Sequence, residues 1–311
     1  MILDELSRSE YQARLEGRGI RLQVGPFTLR LQTHVASLAA TLHLLYGDFP
    51  LLPDSEVAEF RIRIDPPRGL RRWWRPQVIF HLDDATPFEP FPYVLAYPFF
   101  EWGFNWCVYE HVEEFLLLHA AVVERGGRAL LLPAEPGSGK STLCAGLVHR
   151  GWRLLSDEFA VIRLGDGHII PIPRPIGLKE ASIAVIRAFA AEARIGPSFT
   201  ETSKGTVAHV RPARDAVARM AETALPAWIV FPRYEAGANL QIEPLSKAAA
   251  FVRASTDSFN FKTLGEIGFT ALAALIDRCD SYTLVQGDLE TAIAAIDRLV
   301  AHPAPASAHV D

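Results

Sequence analysis

Residues 20–24 and 27–32 alternate apolar and polar positions, and Gly25-Pro26 separates them, which predicts two strands joined by a turn. Apolar residues at three- and four-residue spacing predict a helix over 35–46 that stops at Gly47. Residues 59–64 (EFRIRI) alternate again, and 78–82 suit them as a partner strand, with 65–76 (DPPRGLRRWWRP) as the loop between. After Pro98 no proline interrupts the stretch to Glu114, and its aromatics recur every three or four residues. A buried helix over 97–114 is the prediction, with an aromatic ligand cage as the other reading of the same residues.

From Leu116 the pattern changes. Strands are predicted at 116–124 and 128–133, joined by a Gly126-Gly127 turn. A glycine-rich loop, a helix over 140–150 and strands at 153–155 and 159–164 follow, then a short strand at 168–172 and a helix over 179–193. Further along come a strand at 227–231 closed by Pro232, a short strand at 241–243, helices at 246–254 and 262–277, a strand at 281–285 and a helix at 289–301. The expected fold class is α/β, with an N-terminal α+β domain over 1–112, a second domain over 113–303 and a flexible tail over 304–311. No internal repeat is visible.

Composition narrows the classes. Hydrophobic residues make up 49% of the 311 positions and charged ones 22%, which supports a sizeable core and excludes wholesale disorder. A formal charge of −5 argues against a general nucleic-acid coater, so no DNA partner is expected. The three cysteines, Cys107, Cys144 and Cys279, have neither disulfide-framework nor zinc spacing, which fits a reducing compartment. The N-terminus does not read as a signal peptide, and the apolar run near 129–134 is far too short to span a bilayer. A soluble cytoplasmic protein without a membrane partner is expected.

The strongest chemical signal is A-E-P-G-S-G-K-S-T over 134–142, between a predicted apolar strand and a predicted helix. Gly137 and Gly139 let consecutive N–H groups turn inward around an anion, and the helix directs its positive end at the same place. Pro136, Gly137, Ser138, Gly139, Lys140, Ser141 and Thr142 are thus candidate phosphate-binding residues. Lys140 reaches the β- and γ-phosphates of ATP, and Ser141 offers a hydroxyl to Mg²⁺. A glycine turn capping an ordinary helix is the plain alternative.

Asp157 and Glu158 follow Ser141 by only 16 and 17 residues. If the helix returns the chain to the bottom of the sheet, the strand ending at Leu155 delivers Asp157 beside the loop, as in a parallel βαβ unit. Upstream, His119 lies on the strand before the loop strand. A histidine there either orients a carboxylate or contacts phosphate, or is a satisfied core residue.

At these residues the chain resembles the HPr kinase/phosphorylase catalytic domain, and more narrowly the HPr-kinase-related kinases of group A. L-L-H-A-A-V-V, A-E-P-G-S-G-K-S-T and R-G-W-R-L-L-S-D-E carry the likeness over 116–179. E-W-G-F-N-W-C (101–107), P-R-P-I-G-L-K (173–179) and F-N-F-K-T-L-G-E-I-G-F (259–269) extend it over most of the chain from about residue 95. The resemblance implies a P-loop kinase domain of the HPr kinase/phosphoenolpyruvate carboxykinase type. It also implies ATP- and Mg²⁺-dependent phosphorylation of a hydroxyl, typically a serine of a protein or peptide. By position, Lys140 grips phosphate, Ser141 ligates Mg²⁺, and His119 is the active-site histidine. Asp157 and Glu158 replace an Asp-Asp pair, which leaves open which carboxylate does which job; Asp157 is assigned mainly to Mg²⁺ and Glu158 mainly to the base. The family signature E-I-R-G-x-G is here I-P-R-P-I-G-L (172–178): Arg174 and Gly177 match, but the acidic position is lost. Arg174 is a candidate for stabilising the transferring phosphate, or else an ordinary loop arginine, and activity on HPr itself or phosphorolysis is not expected.

Weaker candidates are Lys204 and Arg211, flanking a polar loop over 195–204 that reads as a lid or a plain connector. The cluster Arg71-Arg72-Trp73-Trp74-Arg75 suits RNA or an acidic peptide, or is a hairpin loop. Cys144 is expected to pack. The reading is a serine kinase whose N-terminal domain presents the acceptor or a peptide carrier protein. A small-molecule or RNA hydroxyl kinase and a nucleotide-dependent binding module are the alternatives. A homo-oligomer stays open.

Overall fold

The computed structural model describes residues 1–67 and 75–301. Arg71 to Trp74 and the predicted tail lie outside these residues. The chain is α/β with mixed sheets. It begins with α1 (Arg8–Glu16), β1 (Ile20–Val24), β2 (Phe27–Thr33), α2 (Ala36–Tyr46), β3 (Phe60–Asp65), β4 (Gln77–Leu82), β5 (Phe91–Pro92) and α3 (Ala96–His111). Next come β6 (Phe115–Arg125), β7 (Arg128–Pro133), α4 (Lys140–His149), β8 (Arg153–Ser156), β9 (Phe159–Arg163) and β10 (Ile169–Ile170). After them follow β11 (Ile176–Lys179), α5 (Ala181–Phe189), β12 (Phe199–Thr202), β13 (Gly205–Val210) and α6 (Arg214–Ala218). The last are β14 (Leu225–Tyr234), β15 (Gln241–Pro244), α7 (Lys247–Thr256), α8 (Phe261–Arg278), β16 (Asp280–Gln286) and α9 (Leu289–Ala301).

The chain packs as two units. One is Met1–Val112 together with Ile170–Glu222; the other is Glu113–Ile169 together with the described residues from Thr223. A continuous domain over 113–303 is therefore not how the chain packs: 170–222 returns to the first unit. Long-range contacts that no local pattern announces hold it there. Tyr97 stacks on Phe199 at 5.9 Å and meets His209 edge-on at 5.1 Å. Arg211 is ion-paired with Asp4 and Asp48.

The first unit carries a five-stranded sheet in the order β1-β2-β3-β4-β5, antiparallel except for the β2–β3 pair, which α2 connects. Alternating burial along β1 and β4 reflects one covered face. The aromatic repeat at 97–114 is a buried helix as expected, with Phe99, Phe100 and Phe104 in the core. A second sheet, β11-β13-β12, corrects two expectations. The helix expected over 179–193 is shorter, because Ile176 and Leu178 alternate as a strand and pair with Val210 and Ala208. The polar 195–204 stretch contains β12, paired with β13.

The second unit is built on an eight-stranded sheet ordered β10-β9-β6-β7-β14-β16-β15, with β8 also on β6. β7, β14 and β16 are parallel, while β6 runs against β7, β8 and β9. Leu116, Leu118, Ala120 and Val122 share one face of β6 and pack with Ala250, Ala254, Leu272 and Ile276 of α7 and α8. Pro232 does not close β14, which continues to Tyr234. Pro232 shares the edge of Tyr234, whose N–H points away from β16 to the Ser138 carbonyl. The N–H that proline lacks is thus not one that the β16 ladder uses.

Candidate functional site

The 134–142 loop leaves the sheet where β7 ends, opposite Ala120. Gly137 and Gly139 have φ of +92° and +83°. A side chain at Gly139 would be strained by that backbone and would place its Cβ 2.9 Å from the Tyr234 Cβ. The Ser138 carbonyl accepts a hydrogen bond from Tyr234 N–H at 2.9 Å, tying the loop to the end of β14. No side chain caps α4. Its first-turn N–H groups, which have no acceptors within the helix, face the loop. The arrangement has the chemistry of an anion cradle.

Both carboxylates arrive on the far edge of β6. β8 pairs there through Val122 and Ser156, and β9 through His119 and Phe159. The chain bends at Asp157 and Glu158 between them. β8 does run in the direction of β7, as expected, but β6 lies between the two, because the other edge of β7 is taken by β14. The bend gives the two acids different surroundings. Asp157 is buried at 5% exposure, and its charge acts on Cys144 of α4. The Glu158 side chain is 42% exposed, with Oε2 3.6 Å from His119 Nε2.

Lys140 is 7% exposed, so it is not the surface cation its sequence position suggests. Cys144, one turn along α4, packs as expected. Burial pushes its thiol well above the ordinary range, Asp157 adds to this, and Lys140 pulls the other way. Lys140 and Asp157 are thus both buried, and both charges act on the Cys144 thiol in the first turns of α4. His119, Lys140, Ser141, Asp157 and Glu158 all belong to the second unit.

The segment 257–260 had no site role in the sequence reading. Beyond Ala120, where β7 stops, residues 257–260 take over its edge of β6, with a bridge between Leu118 and Ser258. His119 N–H donates to the Asp257 carbonyl at 2.6 Å, and Phe259 N–H to the Leu117 carbonyl at 3.0 Å. The Asn260 side chain accepts from Leu117 N–H at 2.9 Å and donates to the Phe115 carbonyl at 2.8 Å. Phe259 lies edge-on to His119 at 5.7 Å and to Phe159 at 5.1 Å. Burial raises the Asp257 carboxyl above its usual range, against the pull of His119 and Lys140; Glu135 adds to the rise. No local signal marks Asp257, because its partner His119 is far away in sequence.

Arg174 has partners of its own. It is buried in the first unit, where its guanidinium donates to the Glu101 carboxylate and to Asn105 and lies 4.5 Å over the Phe104 ring. Burial opposes its charge, but Glu101 and Tyr46 together outweigh burial and hold the guanidinium above its ordinary range. Arg211 is likewise engaged by Asp4 and Asp48, and Lys204 is exposed at the β12–β13 turn.

The Ser141 hydroxyl and the Asp157 carboxylate are oxygen donors, while among the described residues no group of three or more His, Cys, Asp or Glu side chains is arranged to hold a metal ion by itself. Two such oxygens suit Mg²⁺, which typically takes one or two protein oxygens and completes its shell with phosphate and water. The orientation of the loop and the burial of Lys140 suit a polyphosphate. Among the described residues no helix is long and apolar enough to cross a membrane. No protein-family model matches the chain, and no curated protein matches it.

Proposed function

We propose that the chain is a P-loop kinase of the HPr kinase type, which transfers the γ-phosphoryl group of ATP to the hydroxyl of a protein or peptide serine. The observation that carries this reading is the glycine loop with positive φ at Gly137 and Gly139 leading into α4, whose Lys140 is buried, together with the His119–Glu158 pair at 3.6 Å in the same unit. Loop N–H groups from 136 to 142 and Lys140 bind the phosphates. Ser141 and Asp157 hold Mg²⁺, which when bound neutralises charge on the transferring group. Glu158 accepts the acceptor hydroxyl's proton as the new P–O bond forms, and His119 orients that carboxylate. Asp157, buried where Glu158 is exposed, is the poorer base for an acceptor arriving from solvent. Arg174 has no part in the transfer, and without the acidic residue at 172–178 the reaction runs toward phosphorylation.

The test is transfer of label from γ-labelled ATP, with Mg²⁺, into a cell lysate, followed by identification of the labelled species. Phosphoserine in a protein, absent with Lys140→Met, is the expected result. Label in a small molecule or RNA would move the acceptor to another class, and label no greater than with Lys140→Met would remove the kinase reading.

A further inference from the structure

We propose that Asp257 is a positioning residue of this site: a second carboxylate that flanks His119 from the β7 edge of β6 while Glu158 flanks it from the β9 edge. The role in turnover rests on the kinase reading; the coupling to His119 does not.

Three observations carry it. The first is placement. β9 and β7 occupy opposite edges of β6. Glu158 comes in beside His119 from the first edge, and residues 257–260 occupy the second where β7 has stopped. The second is rigidity. Asp257 is joined to His119 by the backbone bond from His119 N–H, and the Ser258 and Asn260 side chains fasten the next residues to Leu117 and Phe115. Such a segment holds a carboxyl in a defined place, as an exposed loop does not. The third is electrical. The charged groups acting on the half-buried Asp257 are His119, Lys140 and Glu135, which are the imidazole, the cation and one acid of the loop region.

The chemistry follows. A histidine that must hold a neighbouring carboxylate in line needs its own ring fixed, and a charge on its other side does this. Glu158 takes the proton that leaves the acceptor oxygen; Asp257 neither gains nor loses one in the step. It keeps the His119 ring aligned with Glu158 while the phosphoryl group leaves ADP for the acceptor oxygen. Phe259, edge-on to the ring, limits its swing.

The experiment follows the His119 ring signals by NMR at one fixed pH in the protein free of nucleotide. It also follows Mg²⁺-dependent ATP hydrolysis with water as acceptor. Wild type, Asp257→Asn, Asp257→Glu and Glu158→Gln are compared. Asp257→Asn should displace the His119 ring signals, since a neighbouring charge is removed. It should reduce kcat by about tenfold, a fraction of what a full general base contributes. KM for ATP should stay within about twofold, and Asp257→Glu should restore part of both effects. Ring signals unmoved by Asp257→Asn overturn the proposal, as do moved signals with unchanged turnover in an active enzyme. If the signals move but even the wild type turns over no ATP, the Asp257–His119 coupling stands and the kinase reading falls.

Discussion

The guanidinium of Arg174 donates to the carboxylate of Glu101, and both side chains are buried. The other carboxylate oxygen accepts from the Tyr46 and Tyr97 hydroxyls at 2.8 and 2.6 Å. Burial, and then the Glu101 charge, hold both phenols well above their ordinary range. Two stretches on which the family resemblance rests, 101–107 and 173–179, are thus the two halves of one buried ion pair in the first unit. Removing one partner of such a pair costs about 3–5 kcal/mol, because the other charge is left buried alone. Arg174→Met should therefore lower stability by that order in chemical denaturation, and Glu101→Leu/Arg174→Met should recover much of it. A stable Arg174→Met that has lost phosphoryl transfer would return Arg174 to the phosphates.

Lys140 is buried, so truncation to alanine mixes a packing loss with a charge loss. Lys140→Met keeps most of the volume. Calorimetric titration should show loss of Mg²⁺·ATP binding with the melting temperature close to wild type, and unchanged nucleotide affinity would refute the phosphate-loop reading.

The bend between β8 and β9 gives the two acids different surroundings, and the proposed kinase reading gives them separate jobs. Glu158→Gln should keep Mg²⁺·ATP affinity and lose about 10²–10⁴-fold in kcat, the range for a general base. Asp157→Asn should raise the Mg²⁺ requirement as well. Near wild-type turnover of Glu158→Gln beside an Asp157→Asn that is dead at saturating Mg²⁺ would reverse the roles.

Two glycines with positive φ separate strain from function. Gly265 kinks α8 at φ +56°, with nothing within 4 Å of an added Cβ. Gly265→Ala should cost about 1–2 kcal/mol of stability from the left-handed backbone and leave nucleotide affinity alone. Gly139→Ala also meets a positive-φ backbone cost, and in addition the Tyr234 side chain, so it should weaken ATP binding. Equal effects of the two on affinity would mean that the loop geometry does not matter to binding.

Asp257 makes stability depend on pH. Its carboxyl lies higher in the folded chain than in the unfolded one, with burial the leading cause. Its contribution to stability is therefore fully present below the ordinary aspartate range and lost as pH rises through the raised value. Asp257→Asn removes that loss. The variant should match or exceed wild-type stability at neutral pH, with the gap closing on acidification. A gap that widens toward acid would mean that the carboxyl is held low and that its partners outweigh burial.

The glycine loop was legible in the sequence because its chemistry is local: glycines that reach positive φ, a lysine and a serine at the start of one helix, all within nine residues. The strand periods of β1, β2 and β6 and the aromatic repeat of α3 were legible for the same reason, since each records burial within a single element. Contacts across hundreds of positions leave no such trace. Arg174 read as a candidate for phosphate because only the fold brings Glu101 to it. Residues 170–222 read as part of the second domain because only stacking on Tyr97 and the Arg211 ion pairs assign them to the first. Asp257 went unremarked because its meaning lies in the edge of β6 that β7 leaves free. Local geometry is encoded by neighbouring residues, whereas the partner of a charge is decided by which strands and loops the tertiary structure sets side by side.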